Sequence, residues 1–353
     1  MVTGLVFSPI YYRHDPGRGH PESASRLRSI VGELRLGKAR GIQDWQFIKP
    51  EKATLEEVER VHDVDYIEYV KKVCEAGGGI VDLEENTVVS SSSFEVALHA
   101  VGGTLRAVTF TMQEKNRNAF ALVRPPGHHA TRCSAGGFCL FNNVAIAAKH
   151  LLEEFKLDRI AILDIDSHHG NGTQEIFYET DSVLYISLHE DPQDFPKRGF
   201  ISEIGEEDGF GFNVNVPLPF ETTDSLYLKA VYEVVKPILQ QYRPQLVLVS
   251  AGLDAHYADP VGRLRLSIPC YQKVYEMVID LAAEACNGKI VSVLEGGYSI
   301  RFAGKIATAI TAEMSGVPYN VYDKSPETCK HVHEQGKKII EEVKRTQNVF
   351  WVL

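Results

Sequence analysis

Residues 163–174, LDIDSHHGNGTQ, place two aspartates and two histidines directly behind an apolar run and leave through glycines. Asp164, Asp166 and His168 alternate at a spacing of two, so in an extended segment their side chains share one face. Carboxylates and an imidazole on one face are ligands for a divalent cation. With Asp254 from SAGLDAHYADP, the set Asp166, His168 and Asp254 leaves an open coordination position, as a catalytic zinc requires. Zinc is the favoured ion, one per chain, although such oxygen ligands would also take Fe2+, Mn2+ or Co2+. A hydrolytic metal still needs an acid and a base beside it, and RPPGHH offers His128 and His129. Asp164 and Asn171 are the candidate partners for their other ring nitrogens. Tyr298, behind the glycines of LEGGY, is placed to donate its phenol to an oxyanion.

Such residues act together only if the fold gathers them. Apolar runs rich in β-branched residues recur as GLVF, NAFALV, RIAILDID, SVLYISLH, PQLVLVSAG and KIVSVLEGG, separated by helical patterns such as NNVAIAAKHLLEEFK and CYQKVYEMVIDLAAEAC. Runs without polar alternation predict strands buried on both faces, hence an α/β fold with a parallel sheet flanked by helices. His128 and His129, Asp166 and His168, Asp254, and Tyr298 each follow one of four runs. In an open parallel sheet, ligands bind beyond the carboxyl ends of the strands.

The chain has 353 residues, no Pro/Ser/Gly-rich linker and no repeat, and reads as a single domain over 1–353 with a charged C-terminal helix at about 326–347. A net charge of −10 argues against a nucleic-acid partner and is compatible with a cationic substrate. No apolar run is long enough for a membrane span, and the N-terminus lacks a signal-peptide pattern. Six scattered cysteines fit a reducing compartment, so the expected location is cytoplasmic; the oligomeric state is left open.

Taken together, RPPGHHA, GGFCLFNN, LDIDSHHGNGT, YISLHED, SAGLDAHYADP and LEGGY resemble the zinc-dependent histone deacetylase and acetylpolyamine amidohydrolase family. RHDPGRGHPESASRL extends the resemblance upstream, so that it runs from His14 to Tyr298. It implies the arginase-deacetylase fold and a metal on Asp166, His168 and Asp254. His129 resembles the general base and acid, His128 its electrostatic partner, Tyr298 the carbonyl-polarising residue, and Asp164 and Asn171 the partners behind the histidines. Asn171 is similar to the class II branch. Phe138 and Phe195 match the walls of a tunnel for an acylated amine, Gly137 the carbonyl that accepts the substrate amide hydrogen, and Arg26 an interior arginine near the acetate exit. Structural potassium is implied at Asp164, Asp166, His168, Ser187 and Leu188, and at a second site near Phe177, Thr180, Val183 and Phe212.

Two positions depart from the family. Asn86 stands where many members carry a rim aspartate that grips a peptide backbone, and Val261 follows Asp259 and Pro260 where acetylpolyamine-selective members carry a glutamate. A neutral Asn86 weakens the grip on a peptide, and a neutral Val261 gives a polyamine no counter-charge. The expected activity is removal of an acetyl or related short acyl group from acyl-lysine or a small acylated amine. The alternatives are an arginase-like dimanganese ureohydrolase and a non-catalytic binder of acylated amines. Cys329, His331 and His333, in CKHVH, read as part of an exposed helix rather than a second metal site. His169 is given a structural part.

Overall fold

The computed structural model describes residues 2–39, 45–82, 87–113 and 117–353. Ten strands are β1 (Val2–Val6), β2 (Trp45–Ile48), β3 (Gly78–Asp82), β4 (Thr87–Ser90), β5 (Arg117–Ala121), β6 (Ile160–Asp164), β7 (Val183–Glu190), β8 (Asn213–Leu218), β9 (Leu246–Ala251) and β10 (Ile290–Leu294). Eight form one sheet in the order β2-β1-β5-β10-β9-β6-β7-β8, and every pairing in it is parallel. Strands β6, β7, β9 and β10 are buried along their whole length. Helical layers explain that burial. Ser93–Gln113 packs with Asn143–Glu154, and Ala303–Ser315 packs between Ala24–Ala39 and Ile268–Cys286.

The six apolar runs are six of these strands. Of the eight strands in the large sheet they leave out two, β2 and β8, which are its edges with one partner each. NVNVPL in β8 alternates polar and apolar residues and contains Pro217, which an edge strand tolerates because one row of its N–H groups is unpaired. The amphipathic helix Lys330–Gln347 turns Gly336, Ile340, Val343 and Gln347 inward, and Gln347 Nε2 donates to the Asn213 carbonyl of β8 at 3.3 Å. Beyond it, Trp351 Nε1 donates to the Gly211 carbonyl at 3.0 Å, so the apolar C-terminal end docks on the body of the protein.

The segments that follow β5 and β6 are tied to the helices through Asn142. Its side chain caps Asn143–Glu154 by accepting from Ala145 N at 3.0 Å, and its amide donates to the Ala130 carbonyl and the Thr173 hydroxyl, both at 3.1 Å. The backbone N–H of Asn142 donates to Nε2 of buried His62 at 2.8 Å. Burial pushes the His62 imidazole down to about 4, whereas an unfolded histidine titrates near 6.5. The folded chain therefore favours neutral His62, and its contribution is full above about pH 6.5 and lost as pH falls toward 4. Between pH 7 and 4 the free energy of urea unfolding is expected to fall by about 3 kcal/mol less in His62→Gln than in the parent. Equal losses would remove His62 as a source of acid sensitivity.

Candidate active site

The four strands that end at the chemistry are adjacent at the centre of the sheet: β5, β10, β9 and β6. Their carboxyl ends lead to His128 and His129, to Tyr298, to Asp254, and to Asp166 and His168. One ligand atom from each of Asp166, His168 and Asp254 lies within 4.8 Å of the others. His168 Nδ1 is 3.3 Å from Asp166 Oδ1 and 3.4 Å from Asp254 Oδ2. The remaining carboxylate oxygens are held by backbone: Ser167 N donates to Asp254 Oδ1 at 2.9 Å and Gly296 N to Asp166 Oδ2 at 2.8 Å. A Cβ on Gly296 would lie 2.2 Å from Asp254 Oδ2, so this position admits no larger residue.

Asp254 Oδ2 is buried with no hydrogen-bond partner. Burial, with the charge of Asp166, pushes the Asp254 carboxyl up to about 7. Against the cost of burial, the charges of His128 and His168 hold Asp166 well below the usual range. Two carboxylates this close, one of them with an orphaned oxygen, call for a cation. The donor set fits a divalent metal.

Beside it the rings of His128 and His129 lie 4.0 Å apart and differ in surroundings. Asp164 Oδ2 accepts from His128 Nδ1 at 3.0 Å and from the Tyr185 hydroxyl at 3.0 Å. A Cβ on Gly170 would meet that same oxygen at 2.4 Å, which accounts for the glycine after SHH. Burial opposes a charge on His128, but Asp166 and Asp164 outweigh it and hold the imidazole up at about 10. Burial and the charge on His128 push His129 well below 6.5. With the amide oxygen turned to the ring, Asn171 Oδ1 accepts from His129 Nδ1 at 2.8 Å, which leaves the other nitrogen of His129 with a lone pair.

Residues His129, Gly137, Phe138, His168, Phe195, Val261 and Tyr298 enclose a cavity of about 220 Å³. The Phe195 ring stands 4.8 Å from His129, and Phe138 meets Tyr298 edge-on at 5.9 Å. Phe138 has a left-handed backbone, φ 69°, a strained conformation for an aromatic residue, and its N–H donates to the Thr87 hydroxyl of β4 at 3.2 Å. Burial, with Asp254 and Asp166 nearby, pushes the Tyr298 phenol well above 10, so it stays a donor. Arg26 lies behind it, donating from Nε to the Gly297 carbonyl at 3.1 Å and from Nη2 to the Glu295 carbonyl. Asn86 lies outside the described residues.

Of the residues named for potassium, Ser187 pairs in register with Asp164, next to Leu188 in β7. The Ser187 hydroxyl is 2.8 Å from His189 Nδ1. The Phe177 and Phe212 carbonyls accept from Thr180 and Tyr185 N–H groups, and Val183 opens β7. His169 is buried against Tyr185 and His189.

Sequence reasoning missed acids that hold the loops of the site, Glu295 and Asp259 among them. Glu295 Oε2 accepts from Gly127 N at 2.7 Å and His128 N at 3.1 Å, which fixes the loop that carries both histidines. Asp259 Oδ2 accepts from Tyr298 N at 2.7 Å and Ser299 N at 3.0 Å, while Oδ1 accepts from Val261 N at 2.9 Å, joining the tyrosine loop to the tunnel wall. Backbone-directed carboxylates leave no spacing signature, so only a three-dimensional structure finds them.

The family model of the histone deacetylase domain matches residues 20–314. A probable deacetylase of Archaeoglobus fulgidus is 38% identical over 363 residues, 99% of each chain. A histone deacetylase-like amidohydrolase of Pseudomonas aeruginosa is 38% identical over 91% of this chain and 82% of its own. The solved HDA15 HD domain has a TM-score of 0.88 at 33% identity, covering 99% of this chain and 95% of that one, and the fold is the arginase-deacetylase fold. With the domain match running through every loop that meets at the ends of β5, β6, β9 and β10, the chain belongs to the histone deacetylase family.

Proposed function

We propose that this amidohydrolase is a zinc-dependent deacylase that removes an acetyl or related short acyl group from an acyl-lysine or a small acylated amine. The observation that supports it is the unpartnered Asp254 Oδ2, turned to His168 at the foot of an aromatic tunnel and beside a neutral His129. A divalent ion on Asp166, His168 and Asp254 would polarise the acyl carbonyl and acidify a water.

The protein's own residues supply the rest. Phe138 and Phe195 align the acyl chain, and Gly137 accepts the amide hydrogen of the substrate. His129, neutral and held by Asn171, takes the proton of the attacking water. His128, charged and held by Asp164, supplies positive charge beside the reacting centre. Tyr298 donates its hydroxyl to the carbonyl oxygen as negative charge develops there. His129, once protonated, returns the proton to the departing amine.

Potassium at the two sites named above would brace the loop of Asp166 and His168. The mapping of Arg26 to an acetate exit is also part of this reading. All six cysteines are free, which supports a reducing, cytoplasmic setting. Among the described residues no helix is long and apolar enough to cross a membrane.

A panel of acetyl-lysine peptides, acetylated polyamines and longer acyl chains, run with elemental analysis, tests the proposal. About one zinc per chain and turnover of at least one panel member are expected. Tyr298→Phe, with metal still bound, should cut that turnover by roughly 10² to 10³. Two transition metals per chain, or binding without turnover across the panel, would overturn it.

A further inference from the structure

The segment YISLHED carries an acid that the reaction above does not use. Glu190 ends β7 and is buried. Its Oε2 accepts from the Ser167 hydroxyl at 2.7 Å and the Arg263 N–H at 2.6 Å, and its own N–H donates to the Ser167 carbonyl at 2.8 Å. Ser167 stands between the proposed ligands Asp166 and His168, so Glu190 grips the ligand loop through both backbone and side chain. Its Oε1 accepts from Arg263 Nε at 3.3 Å and lies 3.8 Å from His168 Nε2.

Direction matters for that last contact. His168 turns Nδ1 to Asp166 and Asp254. A histidine that ligates through Nδ1 carries its proton on Nε2, and an acceptor there fixes the tautomer and makes the ring a better ligand. At 3.8 Å the contact is of ion-pair length, longer than a hydrogen bond, so the buried carboxylate acts on Nε2 through its charge, which favours the proton there.

We infer that Glu190 is a positioning residue for the metal, acting as the carboxylate behind His168 that sets the tautomer and plane of this ligand. The inference rests on the metal reading of the site. The bland alternative is that Glu190 only anchors Arg263, whose guanidinium also pairs with Asp194 at 2.9 Å and lies 3.7 Å over the Phe220 ring. Arg263→Gln separates the two, because it breaks that anchor and leaves the carboxylate facing His168.

The test is titration of the chelator-stripped full-length protein with Zn2+ against a chromogenic chelator, a readout independent of turnover. Glu190→Gln is expected to weaken Zn2+ binding by roughly 10- to 100-fold, with Arg263→Gln within threefold of the parent. The double variant Glu190→Gln/Arg263→Gln leaves no buried charge unpaired, the freed Asp194 being exposed, so it serves if Glu190→Gln fails to fold, and it should bind as weakly as Glu190→Gln. Parent-like affinity in Glu190→Gln or in the double variant, or equal weakening by Arg263→Gln, overturns the inference alone. A parent that binds no Zn2+ overturns the metal reading and this inference with it.

Discussion

Asp254→Asn is expected to lower kcat/KM for the best panel substrate by at least about 10³-fold, because a metal acting as Lewis acid is worth several kcal/mol and 1.36 kcal/mol is tenfold in rate. Asp254 Oδ2 makes no hydrogen bond and has only the His168 ring at 3.4 Å against it, so a bound cation would complete the compensation of its burial. An amide in its place is neutral, and one of its two polar atoms is a donor that faces a cation unfavourably. The stability of the stripped protein should move the other way or stay level, since the change removes the repulsion that raises the Asp254 carboxyl next to Asp166. Thermal unfolding with and without Zn2+ separates the two effects. The parent should gain stability as Zn2+ is added, in proportion to the logarithm of its concentration over Kd, and Asp254→Asn should gain little at the same concentration. If Asp254→Asn kept both activity and the zinc-dependent rise in stability, Asp254 would not be a ligand.

Much of this arrangement is legible in the chain, and the reason is periodicity. Buried parallel strands read as unbroken apolar runs, so β6, β7, β9 and β10 stand out, and the chemistry sits where each run ends. Neither edge strand forms such a run, since β2 has only four residues and β8 breaks its apolar residues with Asn213, Asn215 and Pro217. Asp166, His168, Asp254, His128 and His129 announce themselves by residue type, because carboxylates and imidazoles at the ends of apolar runs have few structural uses. Residues that hold backbone do not. Glu295, Asp259 and Glu190 lie inside the motifs LEGGY, ADP and LHED, yet their partners are N–H groups or side chains from distant loops, brought close by sheet order alone. Nor does spacing reveal which of two adjacent histidines is charged. That follows from Asp164 and Asp166 around one ring and Asn171 behind the other.

That difference between the histidines carries the other large effect. His129→Ala is expected to cut kcat by roughly 10² to 10⁴, the range for loss of a general base, with KM and the zinc content little changed. His129 is the ring that burial and its charged neighbour His128 keep neutral, with Nδ1 donating to Asn171, so it can accept a proton at neutral pH. His128 is held in its charged form by Asp166 and Asp164 and has no lone pair to offer. The sign of the pH dependence follows. A base whose pKa is depressed stays active as the medium is acidified, so the parent's kcat/KM should remain flat as pH falls through 6.5 and drop only well below it. Substituting His128 removes positive charge next to His129, which eases the depression that burial still maintains, so in His128→Gln the acid limb should move to higher pH. An acid limb that stays in place in His128→Gln, or a His129→Ala variant that turns over at the parent's rate, would exchange or abolish the roles assigned to these two rings.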